Sequence, residues 1–326
     1  MSQLSCSYLG LNLNSPLISA SSPLTADVAR MKELEAAGIG AVVLKSVFEE
    51  QIEEETAVST ANLNTGSFAD ADLYFSGYTK NRILDDYLTL LESAKKELTV
   101  PVIASLNCLR NGNWYDYAKR LENLGADALE LNLFVMPADA KDTSSDIETQ
   151  YLRILSKIAR TVSIPVSVKL GSYFTGMAHF LKEASETGIK GLVLFNRYYN
   201  IDFDIERMTL TSADALSSSN EYLQSLRWIA LMSKELNVDF SATTGIHTFA
   251  ETVKMILAGA RTVQLCSVLL KNGPEVVTRF CNDITDWMTR KEFRTISDFC
   301  GLMAQESSAN PQLYERHQYI KFLSGV

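Results

Sequence analysis

The sequence predicts one α/β domain folded as a (β/α)₈ barrel, a TIM barrel, and three observations favour this fold. One short sequence pattern occurs four times, and in each copy a glycine ends a helix and an apolar strand follows. Four further apolar runs lie between the copies, and amphipathic stretches of helical period separate the runs. No segment rich in Gly, Ser or Pro divides the 326 residues. Strand and helix thus alternate eight times, which favours a closed barrel over an open doubly wound sheet.

The repeated phrase supplies four strands, and the remaining apolar runs supply four more. The copies span residues 37–45, 124–132, 187–195 and 258–266. The other strands span residues 16–20, 101–106, 164–170 and 238–244. A glycine after the last helical turn adopts the left-handed conformation at little cost, which is typical of a helix end. The runs are apolar on both faces, as the buried strands of a parallel sheet require.

Helices are predicted where apolar residues recur at helical spacing. They span residues 27–36, 82–97, 114–123, 147–161, 178–186, 221–236, 248–257 and 275–289. Two connections are long, residues 46–79 and 196–218, and long loops in compact domains are usually lids or binding loops. We therefore predict a barrel domain over residues 1–300 and a tail over residues 301–326 that packs on the barrel.

Composition and charge limit the partners of the protein. The chain is 46% hydrophobic and carries a formal net charge of −9. This charge repels phosphate backbones and anionic lipid, which argues against nucleic-acid and membrane partners. No apolar run approaches the roughly 18 residues of a membrane span. The N-terminus also lacks the basic start and apolar core of a signal peptide. A cytoplasmic location is therefore predicted.

The cysteines and histidines predict no metal site. The cysteines are Cys6, Cys108, Cys266, Cys281 and Cys300. None forms a Cys-x-x-Cys pair, which argues against zinc and iron–sulfur sites. Their odd number in a long chain also argues against a disulfide framework. The three histidines show no metal-ligand spacing, and we expect His247 to cap a helix or lie at the surface.

Function is expected at the C-terminal ends of the strands, where barrel enzymes carry their active sites. Lys169 ends an otherwise apolar strand there. Although a lysine often extends its ammonium to solvent, a cation at this place could form a Schiff base, bind phosphate, or stabilise negative charge on a reduced flavin. Lys45 ends another strand and would be a second cation in the same pocket.

A phosphate site is predicted at the last two strands. Barrels often bind phosphate there with backbone N–H groups and a helix N-terminus. The seventh strand ends with Thr244 and Gly245 and leads into a helix near Thr248, and the eighth ends with Cys266 and Ser267. Small residues at both points would let the backbone approach an anion closely.

The chain resembles the class 1 dihydroorotate dehydrogenases, FMN-dependent (β/α)₈ barrels, over roughly residues 5 to 300. The resemblance is carried by short motifs. They are Tyr8-Leu9-Gly10-Leu11, Asn14-Ser15-Pro16-Leu17, Ala20-Ser21, Lys45-Ser46, Glu130-Leu131-Asn132-Leu133, Val168-Lys169-Leu170, Tyr173-Phe174, Thr244-Gly245-Ile246 and the stretch from Ala258 to Pro274. Singly these strings are ordinary, but their order and spacing are specific for the superfamily.

The resemblance implies an FMN cofactor and a role for each matching residue. Lys169 would face the flavin pyrimidine edge and stabilise the reduced anion, and Lys45 would lie beside flavin and substrate. Asn132 and Asn196 would hydrogen-bond the pyrimidine ring of the substrate. The further flavin contacts would be Ala20, Ser21 and Ser46, with Ser217, Ser218, Thr244, Gly245, Cys266 and Ser267 around the phosphate.

The implied reaction is the oxidation of dihydroorotate to orotate in pyrimidine biosynthesis. A base removes the C5 proton while the C6 hydride passes to flavin N5. The substrate would accordingly be a small dihydropyrimidine. The acceptor could be fumarate or a partner redox subunit, and the resemblance also implies a homodimer.

Two departures from the family pattern bear on this reaction. The family's catalytic cysteine follows the Asn-Leu motif, and Val135 stands at its place here, where it cannot accept a proton. No Cys, Ser or His lies between residues 131 and 142. The family's substrate-gripping segment has no clear counterpart in residues 65–70. The candidates for a replacement base are Cys108, Tyr78, Ser144 and Ser145. Cys108 is the best placed of them, although a structural thiol is the alternative interpretation.

Three hypotheses follow from these residues. The first is an FMN-dependent oxidoreductase that acts on the CH–CH group of a dihydropyrimidine-like substrate. The second is an FMN-binding family member with a different substrate or with no catalytic activity, because of Val135. The third is a Schiff-base or phosphate-binding lyase that uses Lys169. A tightly bound yellow cofactor would argue against the third.

Overall fold

The computed structural model describes residues 3–48, 84–107, 114–198, 201–212 and 214–315. In chain order its strands are Cys6–Tyr8 (β1), Leu11–Leu13 (β2), Leu17–Ser19 (β3), Ala41–Val43 (β4), Val47–Phe48 (β5), Val102–Asn107 (β6), Ala128–Leu133 (β7), Val166–Leu170 (β8), Gly191–Leu194 (β9), Ile201–Asp204 (β10), Thr209–Ser212 (β11), Asp239–Thr243 (β12) and Thr262–Leu265 (β13). Eight of these described strands pair in parallel, each with its neighbour, in the order β3-β4-β6-β7-β8-β9-β12-β13. β13 pairs with β3 and closes the ring. The predicted (β/α)₈ barrel is confirmed.

Helices follow the barrel strands, as the periodicity predicts. They are Val28–Ala36 (α1), residues 84–97 (α2), Trp114–Asn123 (α3), Ser144–Thr161 (α4), Met177–Glu186 (α5), Tyr222–Met232 (α6), Phe249–Ala258 (α7), Ser267–Asn272 (α8) and Glu275–Arg290 (α9). Short 3₁₀ helices span Pro23–Ala26, Ser219–Glu221, Ile296–Asp298, Gln305–Ser307 and Pro311–Tyr314. The glycine that ends the helix in each copy of the repeated phrase has a positive φ. These values are 103° for Gly38, 90° for Gly125, 103° for Gly188 and 117° for Gly259.

An N-terminal hairpin closes the lower end of the barrel. Strands β1 and β2 pair antiparallel, and Tyr8 is fully buried in a small cluster with Ile18 and Ile103 from the barrel strands. The backbone N–H of Leu9 donates to the Asp239 carboxylate at 2.7 Å, which ties the hairpin to β12. Because this end is filled by side chains, the upper, C-terminal end is where a ligand can enter.

The second long connection, which the sequence predicts as a loop, contains a β-hairpin. Strands β10 and β11 form an antiparallel hairpin in which Phe203 faces Leu210. Its large apolar side chains are exposed: Ile201 by 70%, Phe203 by 65% and Leu210 by 69%. The first long connection begins with β5, which pairs with β6, and its residues 49–79 lie outside the described ranges.

The described part of the tail packs against α7. The backbone N–H of Gly301 donates to Ile256 at 2.9 Å, and that of Met303 donates to Leu257 at 2.8 Å. The domain boundary at residue 300 stays a prediction. Within the described ranges no helix has the length and apolarity to cross a membrane. The same ranges contain no group of three or more metal-ligating side chains.

Candidate active site at the C-terminal end of the barrel

A cavity at the C-terminal ends of the strands collects most of the predicted site residues. Those that line it are Ala20, Ser21, Lys169, Asn196, Ser217, Thr244, Gly245, Cys266 and Ser267. They come from segments as far apart in the sequence as β3 and α8. They meet because the strands of a parallel barrel all end at the same face.

The other predicted residues lie around this cavity. Ser46 shares a hydrogen bond with Ser21 at 3.0 Å, and Asn132 accepts one from Asn196, so both stand directly behind the lining. Ser218 caps the 3₁₀ helix that follows the Ser217 turn. The side chain of Lys45 is exposed, and the structure does not bring it into the cavity lining. Cys108 lies outside the described residues.

Lys169 is a buried cation in the cavity wall. It is only 8% exposed, and its Nζ donates to Oε1 of Gln264 at 3.4 Å. Gln264 in turn donates to the carboxylate of Glu130 at 2.5 Å. Burial raises the pKa of Glu130, and the Lys169 charge and the Gln264 hydrogen bond oppose that rise. The ammonium is thus held by an amide, and its charge is directed toward the cavity rather than cancelled by a direct ion pair among the described residues.

Asn132 and Asn196 form an amide pair at the ends of β7 and β9. Nδ2 of Asn196 donates to Oδ1 of Asn132 at 3.0 Å. This bond leaves the Asn132 NH₂ group as a donor and the Asn196 carbonyl as an acceptor. An adjacent donor and acceptor match the edge of a cyclic amide, which presents the complementary pair.

Ser217 is the centre of a polar junction at the predicted phosphate end. Its hydroxyl accepts from the Gly245 N–H at 3.3 Å and shares a hydrogen bond with Nε2 of His247 at 3.1 Å. Its N–H donates to Oγ of Ser267 at 2.9 Å, and its carbonyl accepts from Lys271 Nζ at 3.2 Å. The Gly245 N–H and the Lys271 side chain thus donate to this turn from two separate segments, and donors of this kind are what an anion site requires.

An ion pair fixes the turn that carries Ser217. Nε of Arg197 lies 2.7 Å from Glu221, and Nη1 of Arg197 donates to the carbonyls of Asp214 and Ala215 at 2.8 and 3.1 Å. Partial burial opposes charge on Glu221, but hydrogen bonds from Arg197 and Ser218 outweigh it and hold its pKa below the ordinary value. Arg197 follows Asn196 directly, so the same strand end positions the amide pair and the turn.

The sequence did not predict the contact between His247 and Ser217. Its ring nitrogen contacts Ser217 rather than standing only at a helix end or the surface. Partial burial, followed by the nearby Lys271 charge, lowers the pKa of His247. The available signal was its position, because it comes directly after Thr244, Gly245 and Ile246.

Gly245 and Thr244 shape the backbone of the strand-seven turn. A Cβ on Gly245 would lie 2.2 Å from the backbone nitrogen of Tyr222, so this position requires glycine. Thr244 has a φ of 73°, which is rare for a β-branched residue. Its hydroxyl donates to the carbonyl of Phe195 at 2.9 Å, which holds the turn against β9.

The segment that should carry the family's base carries an apolar wall instead. The backbone N–H of Val135 donates to the Tyr151 hydroxyl at 2.6 Å, and its side chain packs on the main hydrophobic core. Ser144 and Ser145 are exposed in the first turn of α4. Burial raises the pKa of the Cys266 thiol, so this cavity-lining cysteine holds its proton. Tyr78 lies outside the described residues.

Comparison with known proteins identifies the family of this barrel oxidoreductase. A family model described as dihydroorotate dehydrogenase matches residues 3–288. The chain therefore belongs to the dihydroorotate dehydrogenase family. This confirms the resemblance inferred from the motifs and the prediction of a dehydrogenase.

Several curated relatives are similar to the chain over most of its length. A dihydroorotate dehydrogenase B (NAD(+)) catalytic subunit of Thermoplasma acidophilum is 25% identical over 93% of this chain and 99% of its own. A chloroplastic dihydropyrimidine dehydrogenase (NADP(+)) of Arabidopsis thaliana is 24% identical over 97% of this chain and 80% of its own. A dihydroorotate dehydrogenase A (fumarate) of Lactobacillus helveticus is 25% identical over 79% of this chain and 85% of its own. The relatives thus differ among themselves in substrate and acceptor.

Proposed function

We propose that this protein is an FMN-dependent oxidoreductase that acts on the CH–CH group of a dihydropyrimidine-like ring. One observation carries the proposal: a single cavity is lined by the buried Lys169 cation, by Asn196 with Asn132 bonded behind it, and by the polar turn at Ser217. The Lys169 cation matches a ring that gains negative charge, the amide pair matches a cyclic amide, and the Ser217 turn matches a phosphate.

The residues present fit FMN. Gly245 lines the cavity with bare backbone, because a Cβ there would collide with Tyr222, and bare backbone would let a phosphate come close. Ser217 and Ser267 supply hydroxyls at the same end. Lys169 supplies a buried positive charge at the other. When bound, FMN would supply a hydride acceptor for a carbon of the substrate ring.

The protein's own residues would then hold and orient both ligands. Lys169 would stabilise negative charge on the reduced ring, because a buried cation acts strongly at low dielectric. Asn132 and Asn196 would orient the substrate ring through its amide edge. Ala20, Ser21 and Ser46 would contact the flavin, and Ser218, Thr244 and Cys266 would complete the phosphate end. Lys45 would join them from the exposed rim.

The protein differs from the family pattern in the group that transfers the proton. Val135 cannot act as the base, so we expect oxidation of dihydroorotate itself to be slow. A different substrate of the same ring class therefore fits the site better than dihydroorotate. A role in pyrimidine biosynthesis stays a prediction.

The experiment that tests the proposal is spectroscopic. The purified chain is titrated with FMN and with riboflavin, and the bound flavin is then exposed anaerobically to dihydroorotate, dihydrouracil and other dihydropyrimidines. We expect tight FMN binding and bleaching by one of these compounds. A flavin-bound protein that none of them bleaches would support the non-catalytic alternative. Failure to bind FMN, together with borohydride trapping of a substrate on Lys169, would support the lyase.

The family resemblance also leads us to propose a homodimer. The exposed apolar side chains Ile201, Phe203 and Leu210 on the β10–β11 hairpin form a surface of the kind that subunit contacts cover. Sedimentation of the wild-type chain and of the double variant Phe203→Ser/Leu210→Ser tests this. A wild-type monomer at micromolar concentration would overturn it.

A further inference from the structure

A second cavity adjoins the candidate active site on the side of β7 and β8. Its volume is about 420 Å³, which lies within the roughly 300–1,000 Å³ range of small-molecule sites. Five of its lining residues are aromatic, namely Phe134, Tyr151, Tyr173, Phe174 and Tyr198. The cavity therefore has the size and the lining of a site for a flat apolar group.

The aromatic residues of this cavity follow the amide pair closely in the sequence. Phe134 lies two residues beyond Asn132, and Tyr198 lies two residues beyond Asn196. The two rings meet with centroids 3.9 Å apart and planes at 70°, directly beyond the 3.0 Å amide hydrogen bond. Tyr173 joins them from the β8 side, 4.6 Å from Tyr198 and perpendicular to it. A ligand ring held by the two asparagines would thus be followed by an aromatic surface.

Gly171 creates the space that Phe134 occupies. A Cβ at position 171 would lie 2.9 Å from Cδ2 and 3.1 Å from Cε2 of the Phe134 ring. A side chain at position 171 would displace the ring from its contact with Tyr198. The absence of a side chain at Gly171 therefore leaves room for this arrangement of the wall.

One of the departures from the family pattern lies in this same cavity. Val135, which stands at the place of the family's base, lines it next to Phe134. The expected proton acceptor has thus been replaced by part of an apolar wall. A change that only abolished catalysis would not require a built aromatic cavity at that place.

The charged residues of the cavity limit which substituents it can bind. Asp142 and Glu148 line it, and its described lining residues include no lysine or arginine. A carboxylate such as that of dihydroorotate would be repelled by these groups. An uncharged ring substituent would be accepted.

We infer that this aromatic cavity binds an uncharged, planar apolar substituent carried by the cyclic-amide substrate, and that it sets the substrate class of the enzyme. The inference rests on the proposed function, because the asparagine pair would hold the parent ring. Phe134 and Tyr198 are the specificity-determining residues, and Gly171 positions Phe134.

The test uses the FMN-loaded protein and two redox-inactive probes, uracil and 5-benzyluracil. Dissociation constants are measured from the change that each probe causes in the flavin spectrum. We expect the benzyl compound to bind at least about tenfold more tightly than uracil, since a buried aromatic contact is worth about 0.5–1.5 kcal/mol beyond its area. In Phe134→Ser this preference should fall to about twofold or less. The control Leu302→Ser removes an exposed apolar side chain from the tail, outside the cavity lining, and should keep the preference.

Gly171→Ala supplies a second variant in case Phe134→Ser does not fold. It displaces the Phe134 ring without removing it and should also reduce the preference. Equal affinities of the wild type for the two probes, or an unchanged preference in a folded variant, would overturn the inference while FMN binding stands. A chain that binds no flavin would overturn the proposed function and this inference with it.

Discussion

Gln264 donates a hydrogen bond to the buried carboxylate of Glu130 across the interior of the barrel, from β13 to β7, at 2.5 Å. The other end of the same amide accepts from Lys169 at 3.4 Å. The amide therefore bridges Lys169 and Glu130, which make no direct ion pair in the described structure. This arrangement leaves the Lys169 charge available at the cavity, and it has a cost at high pH.

That cost should appear as a pH dependence of stability. Burial raises the pKa of Glu130 above its ordinary 4.5, so the folded state disfavours the ionised form. The contribution of this group to stability is complete below pH 4.5 and is lost as the pH rises through the raised pKa. In Glu130→Gln, which keeps an acceptor for Gln264, the free energy of unfolding should fall less between pH 5 and 8 than in the wild type. Urea unfolding at both pH values measures this, and parallel curves would contradict it.

Removing the cavity cation should slow flavin reduction. Lys169→Met keeps much of the side-chain volume but deletes the buried charge. We expect the anaerobic reduction rate to fall by about 100-fold, which is the typical effect of removing one preorganised electrostatic group. Lys141→Met, at an exposed position, is the matched control and should leave the rate unchanged. Equal reduction rates in both variants would show that Lys169 does not stabilise the reduced flavin.

The Ser217 junction should recognise phosphate specifically. Ser217→Ala deletes the hydroxyl that contacts Gly245 and His247. We expect FMN affinity to fall by about tenfold, the equivalent of roughly 1.4 kcal/mol, while riboflavin affinity stays the same because riboflavin has no phosphate. Fluorescence titration measures both constants, and Ser185→Ala on α5 is the control. A parallel loss for both flavins would indicate a general structural defect.

A side chain at Gly171 should destabilise the fold. Gly171→Ala places a methyl group 2.9 Å from the Phe134 ring, and overpacking of this kind costs about 1–3 kcal/mol. Gly176→Ala is matched, since its Cβ would meet only His179 Cβ at 4.0 Å. Chemical unfolding should separate the two variants. Equal stability would show that the aromatic wall yields without strain.

A thiol at position 135 should restore a titratable group. Val135→Cys places the family's base type at the expected position, and general bases contribute about 10²–10⁴-fold in rate. We expect bleaching by dihydrouracil to rise at least about tenfold over the wild type, and to increase with pH as the thiol ionises. Val135→Ala adds no titratable group and should stay at the wild-type rate. The same pH profile in both variants would contradict the expectation.

Position along a strand was enough to predict which residues share one end of the barrel. Ala20, Lys169 and Cys266 lie far apart in the sequence, and they line one cavity because each stands at the C-terminal end of a parallel strand. Periodicity cannot say which way a side chain turns after the strand ends. Lys45 satisfied the same rule, yet its side chain is exposed.

Contacts between loops could not be predicted from the sequence. The hydrogen bond between Ser217 and His247 and the edge-to-face contact between Phe134 and Tyr198 join segments 30 and 64 residues apart. Such contacts depend on the packing of particular side chains, which no local pattern encodes. The β10–β11 hairpin has an alternating pattern, Ile201-Asp202-Phe203-Asp204, but its apolar residues face outward, so no core position marked it as a strand.

The close approach of Phe134 to Gly171 also bears on how such chains diverge. A Cβ at position 171 would collide with the ring, so we expect an aromatic residue at the first position to occur together with glycine at the second. These two residues directly follow neighbouring strands, β7 and β8, and would change together. We therefore expect a family member with the same ring and the same glycine to have the same aromatic cavity.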